Sequence, residues 1–488
     1  MKSLLLFFLA SNLASVFSSP HPTKRSVIDV CKQIAEAVSS ASGVHYPLEL
    51  LYDKDISHWA SSSSEYATCS VEPGTAADIG IILQILGNSS TPFGVKGGGH
   101  ASNPSFSSTT GVQIAMYRFS EVEYDASSST ATIGAGLIWD DVYAALAPYD
   151  VNVVGGRVTG VGVAGFTLGG GYSWKTNQYG LTVDTLTAYE LVKPDGTIAN
   201  VTEDSDPDLF FALKGGFNNF GIVTRFTLRT FPQTQVWGGL ITYTENEISK
   251  VINATYTFAS NVTDPKAAII TTANFVLGEP GISQLLFYDG PTPPDGIFDN
   301  FLAIPHFTKD VSTRSFASLV QSSPSNATAG TRAIFDSAPL LELTPTVLDA
   351  IINETVFWGT KLSFESGTFI SYDIEPFLPT IFTHSQSDSA YPPSRSTAYL
   401  PLNLYYAWDL EIADDSFHSA IKQSANQITA VALAEGQTGV DSAPLYPNYA
   451  IYDTPLERLY GDNVAKMQSV KARVDPNNIM GLTGGFKI

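Results

Sequence analysis

Apolar and polar residues recur along this chain with two periods, and the switches between them mark out its elements. Cys31, Ile34, Ala35 and Val38 fall at helical spacing within Val30–Val38. A second helix is predicted after Thr75, which stands at N-cap spacing from Asp78, and Gly87 is its expected end. Phe93–Lys96 reads as an apolar strand, followed by strand-like runs at Val112–Met116, Glu121–Tyr124 and Ala131–Ile133. The Ser127–Ser129 turn joins the last two as a hairpin. Trp139–Leu146 is predicted helical, with Val142, Tyr143 and Leu146 on one face. Leu186–Val192 and Thr197–Val201 form a hairpin across Pro194-Asp195-Gly196. Asp206 caps a short helix that runs to Leu213, and Gly221–Thr230 is a strand of strong β-formers closed by Pro232.

Beyond Pro232 the pattern changes. Gln235–Leu410 mixes long strands with amphipathic stretches and reads as a separate α+β domain, with Pro-rich linkers at Gly290–Pro294 and Tyr391–Ser394. From Ser442 the tail regains a dense set of Tyr, Asn and Gly.

Charge and processing signals narrow the setting. The 488 residues are long enough for two domains, and 47 Asp+Glu against 26 Lys+Arg give a net charge of −21. Such a balance argues against nucleic acid or an anionic membrane as the main partner, since both want a basic face. Lys2, the apolar run Leu4–Ala10 and the small residues near Ser18 and Ser19 read as a signal peptide over residues 1–19, and Lys24-Arg25 offers a dibasic processing site. Sequons at Asn88, Asn200, Asn253, Asn261, Asn326 and Asn353 fit a secreted glycoprotein. In an oxidising compartment the only two cysteines, Cys31 and Cys69, point to a disulfide, with two buried thiols as the alternative. Two cysteines and scattered histidines do not build a zinc cage, and no metal site is expected.

The chemistry concentrates in glycine-rich segments. The strand ending at Lys96 runs into Gly97-Gly98-Gly99 and stops on His100. Glycines without a Cβ let backbone amides close on a bulky anionic ligand, and the histidine sets an imidazole at its edge. This is a cofactor site in outline. Gly160-Val161-Gly162-Val163-Ala164-Gly165, with Asp184 downstream, also fits a dinucleotide fingerprint. Against a Rossmann unit, Gly169-Gly170-Gly171 follow where a helix should continue; tight turns without a ligand are a further reading. A serine hydrolase finds no Gly-x-Ser-x-Gly elbow.

The order of six segments resembles a known family: Gly97-Gly98-Gly99-His100; Gly162 through Tyr172; Tyr179-Gly180-Leu181-Thr182-Val183-Asp184; Lys214 through Val223; Tyr446-Pro447-Asn448-Tyr449; and Asp475-Pro476-Asn477-Asn478. Together they resemble the vanillyl-alcohol-oxidase-type FAD flavoproteins, in the berberine-bridge-enzyme-like branch. The resemblance implies an α+β fold. A PCMH-type FAD-binding domain would span 66–232 with an N-terminal extension over 26–65. An α+β substrate domain with an antiparallel sheet would span 233–440, and a segment over 441–488 would return to the first domain.

The same resemblance implies FAD held covalently, with His100 bonded to the flavin 8α-methyl. Gly97, Gly98 and Gly99 would donate amides to the pyrophosphate, and Lys96 stands where an arginine is common. Gly162, Gly165, Gly169, Gly170, Tyr179, Gly180, Asp184, Gly221, Ile222, Val223 and Asn448 complete the implied cofactor set. Val158 occupies the place of a second linking cysteine, so a single tether is expected; Phe166 replaces a frequent histidine. Cys31 and Cys69 match the family's N-terminal disulfide. Tyr446 matches a tyrosine that acts as base, which needs a neighbour that lowers its phenol from the ordinary value near 10. Tyr172 matches a second tyrosine able to do so by hydrogen bonding, and ordinary core packing is the alternative for both. Tyr372 or Glu375 would contact the substrate, and Val161 lies near a position that controls oxygen access. The implied reaction passes a hydride from an alcohol, sugar or natural product to flavin N5, with O₂ reduced to hydrogen peroxide. An oxidative cyclase or dehydrogenase, and a non-catalytic secreted flavin-binding glycoprotein, stand as alternatives.

Overall fold

The computed structural model describes residues 26–323, 328–385 and 387–488; the signal peptide, Lys24-Arg25 and Asn326 lie outside them. The first helix, Val27–Ala37, buries Val30, Cys31 and Ile34, and Cys31 is disulfide-bonded to Cys69. Thr75 caps the helix Ala76–Ser89 by accepting from the Asp78 amide at 3.1 Å. Gly87 does not end this helix, which runs two residues further to a left-handed Ser90. Its lack of a side chain serves packing instead: a Cβ there would lie 2.7 Å from Ile479 Cδ1.

Strands β1 (Gly43–His45), β2 (Cys69–Glu72), β3 (Phe93–Lys96) and β4 (Val112–Ala115) form a four-stranded sheet in the order β1-β2-β4-β3. Both β2 and β3 run parallel to β4, so the chain leaves the end of β3 directly into the glycine loop. A five-stranded antiparallel sheet follows. It uses β5 (Val122–Asp125), β6 (Thr130–Gly134) and, after the short β7 (Val151–Asn152), β8 (Leu186–Val192), β9 (Ile198–Val201) and β10 (Ile222–Arg229). Its order is β5-β6-β10-β8-β9, and β7 pairs with β11 (Phe231–Pro232).

The remaining strands are β12 (Val236–Thr244), β13 (Ala267–Val276), β14 (Glu279–Tyr288), β15 (Thr308–Arg314), β16 (Arg332–Leu340), β17 (Gly367–Ile374) and β18 (Leu400–Trp408). They form one antiparallel sheet in the order β15-β12-β14-β13-β17-β18-β16. Side chains alternate across a strand, so its two faces have different tasks. One face, with Ile370, Tyr372, Ile374, Leu404 and Tyr406, packs on the helices Ile248–Asn261, Pro345–Ser363 and Asp414–Ala434. The other looks toward the glycine-rich sheets. The tail packs in the same core as those sheets, through Tyr446, Leu459, Met467 and Phe486.

Tyr391–Ser394 is not a free linker. The amides of Ala390 and Tyr391 donate to the carbonyls of Phe211 and Lys214, each at 3.1 Å, and Tyr391 is buried in the first core. The sequon asparagines Asn88, Asn200, Asn253, Asn261 and Asn353 are all exposed. Among the described residues no helix is long and apolar enough to cross a membrane.

Candidate active site

A cavity of about 650 Å³ opens between the glycine-rich sheets and the free face of the large sheet. Its first wall is mostly backbone. Gly97, Gly98, Gly99 and His100 line it, facing Gly162 and Gly165 around the helix Val163–Leu168. The loops meet so closely that a Cβ on Gly98 would sit 2.5 Å from Gly162 Cα. A Cβ on Gly165, in contrast, would meet nothing within 4 Å. Gly221, Ile222 and Val223 close the floor at the start of β10.

His100 stacks on Trp59, ring centroids 4.4 Å apart. Its Nε2 is buried without a hydrogen-bond partner. Burial pushes this imidazole down to about 4, so it is neutral at physiological pH.

Tyr446 comes from the tail and lines the same cavity. Asn448 donates its amide to the Tyr446 hydroxyl at 2.8 Å and to the Phe166 carbonyl at 3.1 Å. Burial raises the Tyr446 phenol to about 12, against the pull of Asn448, the Arg157 charge and the amides of Tyr172 and Gly171. The expected lowering is therefore outweighed, because the ring is fully enclosed.

The second wall is made of side chains. Arg157 forms a bidentate pair with Glu375 (2.7 and 2.8 Å) and donates to the Tyr449 hydroxyl at 2.7 Å. Tyr449 in turn donates to Glu375 at 2.8 Å. Burial works against the Arg157 charge, but Glu375 beside it more than compensates and holds the guanidinium protonated. Phe369, Ser371, Asp373, Asn403 and Tyr405 continue this wall along β17 and β18.

The donor set fits a large, flat, anionic cofactor: two glycine turns and one buried, neutral imidazole with an unpartnered Nε2 border one cavity. A family profile described as FAD binding domain matches residues 67–202. An uncharacterized FAD-linked oxidoreductase of Arthroderma benhamiae is 30% identical over 451 residues, covering 86% of this chain and 87% of that one. The chain belongs to the FAD-linked oxidoreductases. An FAD-dependent monooxygenase, drtC, of Aspergillus calidoustus is 29% identical, over 88% of this chain and 85% of its own. The fold is that of berberine bridge enzyme, a variant of which, in complex with (S)-reticuline, superposes with a TM-score of 0.75 at 15% identity, covering 94% of this chain and 99% of that one.

In this oxidoreductase the cavity gathers His100, Gly97, Gly98, Gly99, Gly162, Gly165, Gly221, Ile222, Val223, Asn448, Tyr446 and Glu375 from the expected set. Val158, Val161 and Phe166 also line it. Other expected residues stand elsewhere. Lys96 is buried on the far side of its strand, where its ammonium donates to the Lys54 carbonyl at 2.8 Å. Gly169 and Gly170 back the cavity rather than line it: Cβ atoms there would meet Asn448 Oδ1 at 2.3 Å and Tyr391 Cδ1 at 2.9 Å. Tyr179 stacks on Phe231 at 3.8 Å, away from the cavity. Asp184 accepts from the Leu181 amide and from Arg395, which fixes the turn containing Gly180.

Tyr172 lies behind Tyr446, edge-on at 4.8 Å, with its hydroxyl 3.4 Å from that of Tyr391 and not on Tyr446. Tyr372 points into the helix-covered core, where its hydroxyl meets Tyr406 and Ser424, each at 2.6 Å. The residues the motifs did not single out are Trp59, Arg157, Asp373 and Asn403. Strand parity held a signal for one of them: Tyr372 and Glu375 are three apart and cannot share a face of a strand, whereas Asp373 and Glu375 can.

Proposed function

We propose that this oxidoreductase is an oxidase of a small neutral or cationic molecule, with FAD attached through His100 alone and Tyr446 as the base. The net reaction removes a hydride and a proton from the substrate and reduces O₂ to hydrogen peroxide. Bound FAD would supply the two-electron acceptor. The observation that carries the reading is Tyr446, in a cavity wall with Asn448 and two backbone amides disposed to stabilise its phenolate.

The residues divide the work. The amides of the glycine loops would hold the pyrophosphate. His100 is neutral and its Nε2 makes no hydrogen bond, and Val158 offers no second nucleophile. Arg157, fixed by Glu375 and Tyr449, holds a positive charge near Tyr446 and favours loss of its proton. Val161 puts a branched apolar side chain on the cavity wall, where we place oxygen access. The disulfide and the exposed sequon asparagines support a secreted protein.

A second reading, monooxygenation, is favoured by the name of the Aspergillus calidoustus relative. Turnover under ¹⁸O₂ separates the two: peroxide formed one-for-one with unlabelled product supports the oxidase, and label in the product replaces it with a monooxygenase. The tether is tested by acid precipitation. Yellow colour that stays with wild-type protein and washes out of His100→Ala is the expected result; colour retained by His100→Ala overturns the assignment.

A further inference from the structure

Four of the strands that build the second wall place polar side chains in one row. Register pairs Ser283 on β14 with Thr272 on β13, Thr272 with Asp373 on β17, and Asp373 with Asn403 on β18. All four line the cavity. Asp373 is the centre of the row: Oδ1 accepts from the Thr272 hydroxyl at 2.7 Å, and Oδ2 from the Asn403 amide at 2.8 Å. A carboxylate can only accept, so the NH₂ of Asn403 must face it and the amide oxygen is left over. That oxygen is buried and unpartnered, on a side chain only 4% exposed. A buried acceptor without a partner costs stability unless something supplies the missing donor.

The surroundings restrict what that donor can be attached to. Beside the row, Trp59, Phe335 and Tyr405 form an aromatic surface, with ring centroids 4.9 to 5.9 Å apart. Arg157 is the only arginine or lysine lining the cavity among the described residues, and Glu375 already occupies its guanidinium. The wall therefore presents a spare amide acceptor and, next to flat apolar rings, a carboxylate whose charge burial disfavours while Thr272, Asn403 and the Arg157 charge support it. Asp373 is the penultimate residue of its strand, and Glu375, just past the strand's end, lines the same cavity with Arg157 and Tyr446.

We infer that Asp373 and Asn403 form a substrate-anchoring subsite that takes a hydrogen-bond donor head group, a hydroxyl or a protonated amine, carried on a ring-bearing body, and that it rejects carboxylates and other anions. This deepens the proposed oxidase reading, on which it rests, by naming what its substrate must carry. Sites built on hydrogen bonds discriminate sharply, because an analogue without the donor leaves the buried acceptors unpaired.

The test is a titration of the oxygen-free holoenzyme, following the shift of its visible flavin absorbance, with four probes: 2-phenylethanol, phenethylamine, 2-phenylethyl methyl ether and phenylacetate. At least one of the alcohol and the amine should bind ten times more tightly than the ether and the acid. The stronger of the two identifies the head group. Asp373→Asn should erase that preference, and Tyr372→Phe, on the helix-covered face of the same strand, should preserve it. Ether or acid binding as well as the better donor overturns the inference, as does a preference that survives Asp373→Asn, or no binding of either donor at millimolar concentration. If neither variant folds, the wild-type ranking decides alone. No turnover is involved, so an error in the Tyr446 assignment leaves this ranking intact, and a failed ranking leaves the Tyr446 and ¹⁸O₂ tests standing.

Discussion

The two walls of the cavity are built on opposite principles. The wall carrying His100 is backbone: glycines bring amides to a ligand, and a side chain at Gly98 would be an obstruction. The wall opposite is side chain: alternate residues of one strand present Ser371 and Asp373, and Glu375 follows just past its end. A wall of the first kind holds one cofactor and tolerates little variation. A wall of the second kind can be rewritten one residue at a time while the fold is kept, which is how one scaffold serves many substrates.

Substitutions can break this contrast, beginning with the backbone wall. Gly98→Val should give a protein without flavin, because the new side chain collides with the Gly162 backbone; absorbance of the purified protein reads this directly. Tyr446→Phe should keep its flavin and lose about 10²–10⁴-fold in kcat. The pH profile sharpens that result. In the proposed mechanism the active form is the phenolate, and burial raises its phenol to about 12, so wild-type kcat should climb with pH from neutral to pH 10 or so, by about tenfold per unit. Tyr446→Phe should be flat over the same range.

On the side-chain wall the effects turn to stability. Arg157→Met strands the Glu375 carboxylate and should cost roughly 3–5 kcal/mol in a denaturant melt, most of it recovered when Glu375→Leu is added. Tyr372→Phe should have the smallest effect, roughly 1–3 kcal/mol for two lost buried hydrogen bonds, with KM unchanged. A large KM change in Tyr372→Phe would place that residue on the substrate side after all.

Legibility in the sequence follows the same division. The glycine loop, His100 and the Tyr446 segment are contiguous, so their spacing survives in one dimension. The helix Trp139–Leu146 and the caps at Thr75 and Asp206 are equally local, since each depends on residues within a turn of itself. Arg157 and Glu375 are 218 residues apart, and no periodicity links them. Asn403 meets Asp373 only through strand register, which a single chain does not display. Lys96 illustrates the opposite failure: a recognisable motif groups it with its neighbours, although strand alternation turns its side chain to the other face.

The tail has a consequence for how the protein is made. Tyr446 and Asn448 stand on one side of the cavity and Phe486 on another, with Thr483 bridged to Phe93 at the start of the strand that leads to His100. A ribosome that has released the glycine loop but still holds these last segments presents a half-built cleft, open where the tail belongs. The cavity and the core beneath it are therefore complete only once the tail has been translated and packed.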